Sequence, residues 1–435
     1  MSPLRETRAE TVFHDAKPPY SEAQALVEAN RCLFCVDAPC VSACPTSIDV
    51  PLFIRKIATG NLEGSAFTIL SSNILGRSCA RVCPVEVLCA GACVLNDAGI
   101  PPIQIGKLQR YATDAAVRNG WRFFEAGPDT GFSVGLIGGG PASIAAAHEL
   151  RRLGHACTIY EKRELLGGLN TWGVAPYKQQ ADAATTEIDY VLGIGGVAVE
   201  LGVEVGSDIP WDALLAKHNA LFIGFGLGPD SQLGLPGEDL KGVYGAVENI
   251  EMLKTGALEI TGAEHVVVVG GGNTAIDCVR EAQVLGGTAV TMVYRRDEPS
   301  MSGYAHEWAV AKVKGARAEW RALPIAYEGD GQVERVRCVR LDADREPIAG
   351  SEFVVPAQVV LVAVGQGKLG ELVAPLGLTT DRGRVVVDEL RATSRPGVFA
   401  GGDCINGGKE VVNAVEDGRV AAGAIDRYLK GGLRG

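Results

Sequence analysis

Eight of the twelve cysteines fall between Cys32 and Cys93. They form two spaced groups: Cys32, Cys35, Cys40 and Cys44, then Cys79, Cys83, Cys89 and Cys93. Each group holds a Cys-Pro step, Cys44-Pro45 and Cys83-Pro84. The run C-x2-C-x4-C-x3-C-P is an iron–sulfur ligand pattern, because gaps this short let several thiolates converge on one soft metal centre.

Zinc and disulfides are the competing readings. Zinc modules usually pair one C-x2-C with a second or with two histidines. Here one C-x2-C is present, and His14 is the only histidine before His148. Disulfides need an oxidising compartment, and the opening MSPLRETRAE lacks the apolar stretch of a secretion signal. No apolar run approaches the roughly 20 residues of a membrane span. The expected location is cytoplasmic, with no membrane association. A net charge of −11 also argues against nucleic acid as a partner.

A length of 435 residues allows two or three domains. The 56 glycines suit an α/β chain with nucleotide-binding turns. Residues 1–126 read as helical. Ser21 and Gln24 predict a capping box opening a helix to about Asn30. Asp49 and Pro51 start another that stops near Gly60, and a third spans Lys107 to Asn119 before Gly120. The composition shifts at Glu125-Ala126-Gly127-Pro128. Two βαβ units follow, one starting at Phe132 and one at His265. Further strands are expected at Ala220–Ile223, Val359–Val364 and Gly397–Ala400, and a helix at Val411–Ala424.

In the first unit the strand runs into Gly138-Gly139-Gly140-Pro141-Ala142-Ser143. Gly138 permits the tight turn, Gly140 lets backbone approach a pyrophosphate, and Ser143 is small enough for the helix–strand contact. The helix N-terminus then presents unpaired N–H groups to phosphate. Glu161, which ends the next strand, suits a ribose diol. A glycine turn made only for packing is the plainer alternative.

The second unit carries Gly270-x-Gly272-Asn273-Thr274-Ala275, and its second strand ends in Arg295-Arg296. Guanidinium forks suit a 2′-phosphate, which favours NADPH over NADH. An ordinary solvated basic pair is the alternative. Gly401-Gly402-Asp403 follows a strand, and Asp403 could bond flavin hydroxyls or simply close a turn. Cys157, Cys278, Cys338 and Cys404 are isolated and read as buried small hydrophobes.

Together the cysteine block, GGGPAS, GGGNTAID, YRR and FAGGD resemble one flavoprotein family across nearly the whole chain. It includes small subunits of bacterial glutamate synthase and the electron-input half of dihydropyrimidine dehydrogenase. Ile105-Gly106-Lys107-Leu108-Gln109-Arg110 and GPAS bring the chain nearest the dihydropyrimidine dehydrogenase branch. The resemblance implies two interleaved 4Fe-4S clusters. Cys32, Cys35, Cys40 and Cys93 would hold the first; Cys44, Cys83, Cys89 and Gln109 would hold the second. Gln109 stands where glutamate synthase small subunits are expected to have glutamate. Cys79 is then a spare thiol, although spacing alone would group it with Cys83, Cys89 and Cys93.

The implied fold is a helical iron–sulfur domain (1–126) before an FAD domain (127–235 and 369–435) interrupted by an NAD(P) domain (236–368). Gly138, Gly140, Pro141, Ala142, Ser143, Glu161, Gly402 and Asp403 would serve FAD. Gly270, Gly272, Asn273, Thr274, Ala275, Arg295 and Arg296 would serve NADPH or NADH. The implied activity is NAD(P)H oxidation through FAD, with single electrons passed by the clusters to an FMN-containing, PreA-like subunit in a hetero-oligomer. No side chain is expected to act as acid or base in the hydride step. Pyrimidine reduction is expected on that partner, since all 435 residues are already assigned. The alternatives are a glutamate synthase small subunit, an NAD(P)H:ferredoxin-type reductase, and a binding or structural flavoprotein with degenerate clusters.

Overall fold

Ser21 and Gln24 close a reciprocal capping box: Gln24 N donates to Ser21 Oγ (3.3 Å), and Ser21 N donates to Gln24 Oε1 (2.9 Å). They open the helix Glu22–Ala29. Asp49 accepts from Leu52 N at 3.0 Å and starts Val50–Ala58. Leu62–Ser72, Gly76–Val82 and Ile105–Asn119 complete the main helices of this region, the last closed by Gly120 at φ +63°. Phe53, Ile54, Ile69, Leu75 and Leu108 form its buried interior. Full burial of each contributes about 1.5–3 kcal/mol.

The computed structural model describes residues 4, 7–256 and 262–432. It divides the chain into two units. One comprises Asp15–Thr171, Ala181–Leu227 and Lys368–Gly435, so the helical region and the first fingerprint belong together. Its parallel sheet has the order Val398–Ala400, Ala220–Ile223, Ser133–Ile137, Ala156–Glu161, Val197–Leu201. Ser133–Ile137 sits at the centre, with Ile137 paired to both Tyr160 and Ile223. Helices Pro141–Arg152 and Val411–Leu429 cross closely: a Cβ on Gly418 would lie 2.1 Å from the Ala142 carbonyl.

The other unit comprises Met1–His14, Trp172–Gln180 and Gly228–Gly367. Its parallel sheet runs Val243–Gly245, Val359–Val362, His265–Val269, Ala289–Tyr294, Arg317–Trp320. A three-stranded antiparallel sheet, Ala322–Glu328, Arg335–Arg340 and Phe353–Pro356, adds to it. In both parallel sheets the glycine turn leaves the carboxyl end of a central strand, where open α/β sheets bind ligands.

Three boundaries move from their expected positions. The strand from Val359 ends at Val362, with Gly365 turning at φ +113°. The strand before Gly401 begins at Val398, because Gly397 sits at φ +79°. The last helix continues to Leu429, since Ile425 is buried and Tyr428 packs edge-on against Phe399. No helix among the described residues is long and apolar enough to cross a membrane.

Candidate functional site

The fold gathers the eight cysteines into two groups that cross their order in sequence. Cys32, Cys35, Cys40 and Cys93 line one apolar pocket with Pro39, Ile54 and Ile105. Burial pushes the Cys40 thiol up to about 11, helped by Cys32, Cys93 and Cys35. Cys44, the last of the first run, packs instead against Cys79 and Cys83. Burial also pushes Cys89 well up, with Cys83 and Cys44 adding to it. The crossing follows from the turn Pro39–Ser42, which carries the chain from Cys40 to Cys44.

Among the described residues no three His, Cys, Asp or Glu side chains close on a single metal ion. One zinc ion draws four sulfurs to about 2.3 Å from a point, whereas an iron–sulfur cluster distributes its thiolates over several irons. Soft sulfur donors in an apolar pocket fit such a cluster. Gln109 lies in Ile105–Asn119, buried, with Nε2 donating to the Gly76 carbonyl at 2.7 Å. That bond fixes the amide and leaves Oε1 as its remaining donor atom for a metal.

The first fingerprint has the geometry of a nucleotide cradle. Gly138 turns at φ +88°, and a Cβ there would meet Phe225 Cα at 2.6 Å. At Gly140 the space is open, with the nearest atom to an added Cβ, the Gly224 oxygen, at 3.8 Å. Pro141 occupies the first turn of its helix, and Ala142 and Ser143 follow. Ser143 Oγ is buried without a hydrogen-bond partner. Glu161 is buried at its strand end; it accepts from Gly139 N (2.7 Å) and Arg163 N (2.9 Å). Gly402 comes to the same place: its added Cβ would lie 3.2 Å from that of Ala142. Asp403 accepts from Lys409 N at 3.1 Å, and burial raises its carboxyl. An open cradle, an orphaned hydroxyl, the buried Glu161 carboxylate and the half-buried Asp403 carboxylate fit FAD.

In the second fingerprint Gly270 sits at φ +137°, and its Cβ would meet the Ala363 oxygen at 2.3 Å. Gly272 opens on space, with Ser302 Oγ at 3.9 Å. Asn273 starts the helix and accepts from Tyr304 N at 2.9 Å; Thr274 is half-buried and Ala275 buried. Arg295 is exposed, and Arg296 has a buried Nε without a partner. The nearest acid in sequence, Asp297, is engaged by Arg321 at 3.0 Å and by Ser300 N. This basic strand end fits a phosphorylated ribose.

Other residues of this region carry no sequence motif. Asp417 ties the Gly402 turn down, accepting from Gly402 N (2.9 Å) and Arg391 Nε (2.7 Å). Asp114 gathers Arg77 and Arg81 at 2.7 Å and Arg110 at 3.2 Å. Glu187, almost fully buried, accepts from Arg77 N and Ser78 N. All three are acids on helices, and each has at least one partner outside its own helix. The doublet Gly167-Gly168 was the one legible signal: a Cβ on Gly168 would stand 3.1 Å from Gly140 Cα.

Comparison with known proteins gives two matching family models. Residues 8–121 match "Dihydropyrimidine dehydrogenase domain II, 4Fe-4S cluster", and residues 132–418 match "Pyridine nucleotide-disulphide oxidoreductase". The chain is 34% identical to the glutamate synthase [NADPH] small chain of Escherichia coli K12, covering 98% of this chain and 96% of that one. It is also 34% identical to the NAD-dependent dihydropyrimidine dehydrogenase subunit PreT of the same organism, covering 95% and 96%. Among solved structures, the thioredoxin reductase of T. acidophilum superposes with a TM-score of 0.56 at 24% identity, covering 69% of this chain and 98% of that one. FprA from Mycobacterium tuberculosis in complex with NADPH superposes at 0.57 and 19%, covering 69% and 85%. These last two likenesses establish the fold.

Proposed function

We propose that this chain, which belongs to the family of glutamate synthase small subunits and PreT-like FAD and iron–sulfur oxidoreductases, is the electron-input subunit of a dihydropyrimidine dehydrogenase. As a member it is an NAD(P)H-dependent oxidoreductase that feeds electrons onward. When bound, FAD and the clusters supply the conversion of a two-electron hydride into single electrons.

The chain's own residues bind and orient. Gly138, Gly140, Pro141, Ala142 and Ser143 would receive the FAD pyrophosphate, with Glu161 at the ribose and Gly402 and Asp403 at the flavin side. Gly270, Gly272, Asn273, Thr274 and Ala275 would receive the nicotinamide nucleotide, with Arg295 and Arg296 selecting a 2′-phosphate. Cys32, Cys35, Cys40 and Cys93 would hold one 4Fe-4S cluster. Cys44, Cys83, Cys89 and Gln109 would hold a second.

Gln109 carries the choice of branch. Its tethered amide presents an oxygen rather than a carboxylate, and glutamine is the residue that the resemblance assigns to dihydropyrimidine dehydrogenases. An uncharged ligand also changes the cluster's net charge, one lever on its potential. The partner would be an FMN-containing, PreA-like subunit. The second reading, a glutamate synthase small subunit, is favoured by an identity of 34% equal to that of PreT.

The test adds candidate partners to the anaerobically purified chain. Alone, it should oxidise NAD(P)H with an artificial acceptor and leave uracil untouched; with the FMN subunit, uracil should be reduced. Uracil turnover by the pure chain, or electron delivery only to a glutamate synthase large subunit, contradicts the assignment.

A further inference from the structure

The helix Gly76–Val82 carries Cys79 and leads into Cys83, yet Leu75 at its N-cap offers no side-chain acceptor. The acceptor comes from a distant helix, Ala181–Leu192. Its Glu187 takes Arg77 N at 2.7 Å and Ser78 N at 2.9 Å, and also accepts the Ser78 hydroxyl. Burial raises this carboxyl, while Ser78 and Arg77 oppose the shift. A carboxylate withdrawn from water needs such donors, and removing them leaves it uncompensated.

Ser78 Oγ also accepts from Asn170 Nδ2 at 2.9 Å. Asn170 belongs to the turn Leu169–Trp172, directly after Gly168. Gly168 in turn lies against Gly140: a Cβ on it would stand 3.1 Å from the Gly140 Cα. A continuous path of backbone contact and buried hydrogen bonds therefore runs from the first glycine turn through Asn170 and Ser78 to Glu187. On the same first turn of the helix, Gln109 Nε2 holds the Gly76 carbonyl at 2.7 Å. Plain packing would not require three polar side chains to meet in a buried junction.

We propose that Asn170, Ser78 and Glu187 are positioning residues for electron passage between the flavin site and the second cluster. They fix the helix that delivers Cys83 relative to the turn that receives FAD. The step moves one electron from reduced flavin to oxidised cluster and makes or breaks no covalent bond. The inference rests on the reading above in which Cys83 is a ligand.

The test uses the full chain, purified anaerobically, as wild type, Ser78→Ala and Glu187→Gln, with iron and FAD counted in each. Rapid mixing with NADPH follows flavin bleaching, and freeze-quench EPR follows cluster reduction. Both variants should keep their FAD and iron and bleach within about twofold of wild type. Cluster reduction should slow by about tenfold or more, the range seen when outer-shell support of a metal site is lost, and the EPR line shape of the second cluster should change. Wild-type rates and spectra in both variants overturn the proposal. So does an equal slowing of flavin bleaching, which places the junction at the nicotinamide step. If Glu187→Gln loses iron, Ser78→Ala decides, because its backbone caps from Glu187 survive. A wild-type chain without a second cluster overturns both this inference and the reading beneath it, and the iron count identifies that case.

Discussion

Cys83 N donates to the Cys79 carbonyl at 3.0 Å, one helical turn away, and the two buried side chains pack in one cluster with Cys44 against it. If Cys83 is a ligand and Cys79 is not, the Cys79 S–H is a donor beside a cluster sulfur. Such donors raise the potential of a cluster. Cys79→Ala should therefore leave iron content unchanged and make the second cluster harder to reduce. A potentiometric EPR titration reads this as a negative shift confined to one of two signals.

Substitutions at Gly140 and Gly272 should separate folding from nucleotide binding. Neither needs positive φ, at −78° and −91°, and a Cβ at either meets nothing closer than 3.8 and 3.9 Å. Gly140→Ala should fold with an unchanged melting temperature of the flavin-free chain but retain little FAD. Gly272→Ala should keep FAD and raise the KM for NADPH by about tenfold or more, the effect of blocking close backbone approach to a pyrophosphate.

Arg295 is exposed and Arg296 partly so, and no acid engages either guanidinium among the described residues. A charge-assisted hydrogen bond contributes about 1.5–3 kcal/mol. Arg295→Ser should lower kcat/KM for NADPH by about 10–100-fold and leave NADH within about twofold. Equal loss with both nucleotides would mean that the pair does not read the 2′-phosphate.

Lys254 is fully buried, with Nζ donating to the Gln179 carbonyl at 2.8 Å. Burial lowers its pKa from 10.5 to about 8, with Arg8 adding to the shift and Glu10 and Glu281 opposing it. Below about 8 both folded and unfolded chains carry the proton, and the folded state bears a constant penalty. Between about 8 and 10.5 the unfolded chain binds more protons, so this term raises stability as pH rises. The penalty is on the order of 3 kcal/mol. Lys254→Met should be the more stable chain at pH 7, and wild type should close the gap towards pH 10.5. Denaturant melts of both chains across that range check it.

The sequence made legible what is encoded by neighbours in the chain. The Ser21–Gln24 capping box, the Asp49 cap and both glycine turns appear where local chemistry requires them. Cys157, Cys278, Cys338 and Cys404 are all buried, as isolated small side chains. What was hidden depends on long-range packing. Nothing near Glu187 announces that it caps a helix more than one hundred residues earlier. Asp417 reads as one more acid on an amphipathic helix, though it anchors the Gly402 turn. The segment Trp172–Gln180 reads as a continuation of the first nucleotide unit, yet it belongs with the second, where Tyr177 and Lys178 meet Asp277. The cysteine block lies between these cases. Spacing located the candidate ligands but could not show that Cys93 lines one pocket with Cys32, Cys35 and Cys40 while Cys44 lies with Cys83 and Cys89.

Iron counting tests that exchange between the two runs most directly. The anaerobically purified chain should hold about eight irons, two 4Fe-4S clusters. Cys93→Ser should lose about four and the EPR signal of one cluster, while Cys79→Ser keeps both. Loss of a cluster from Cys79→Ser, with Cys93→Ser losing that same cluster, would restore two sequential quartets and contradict the interleaved centre.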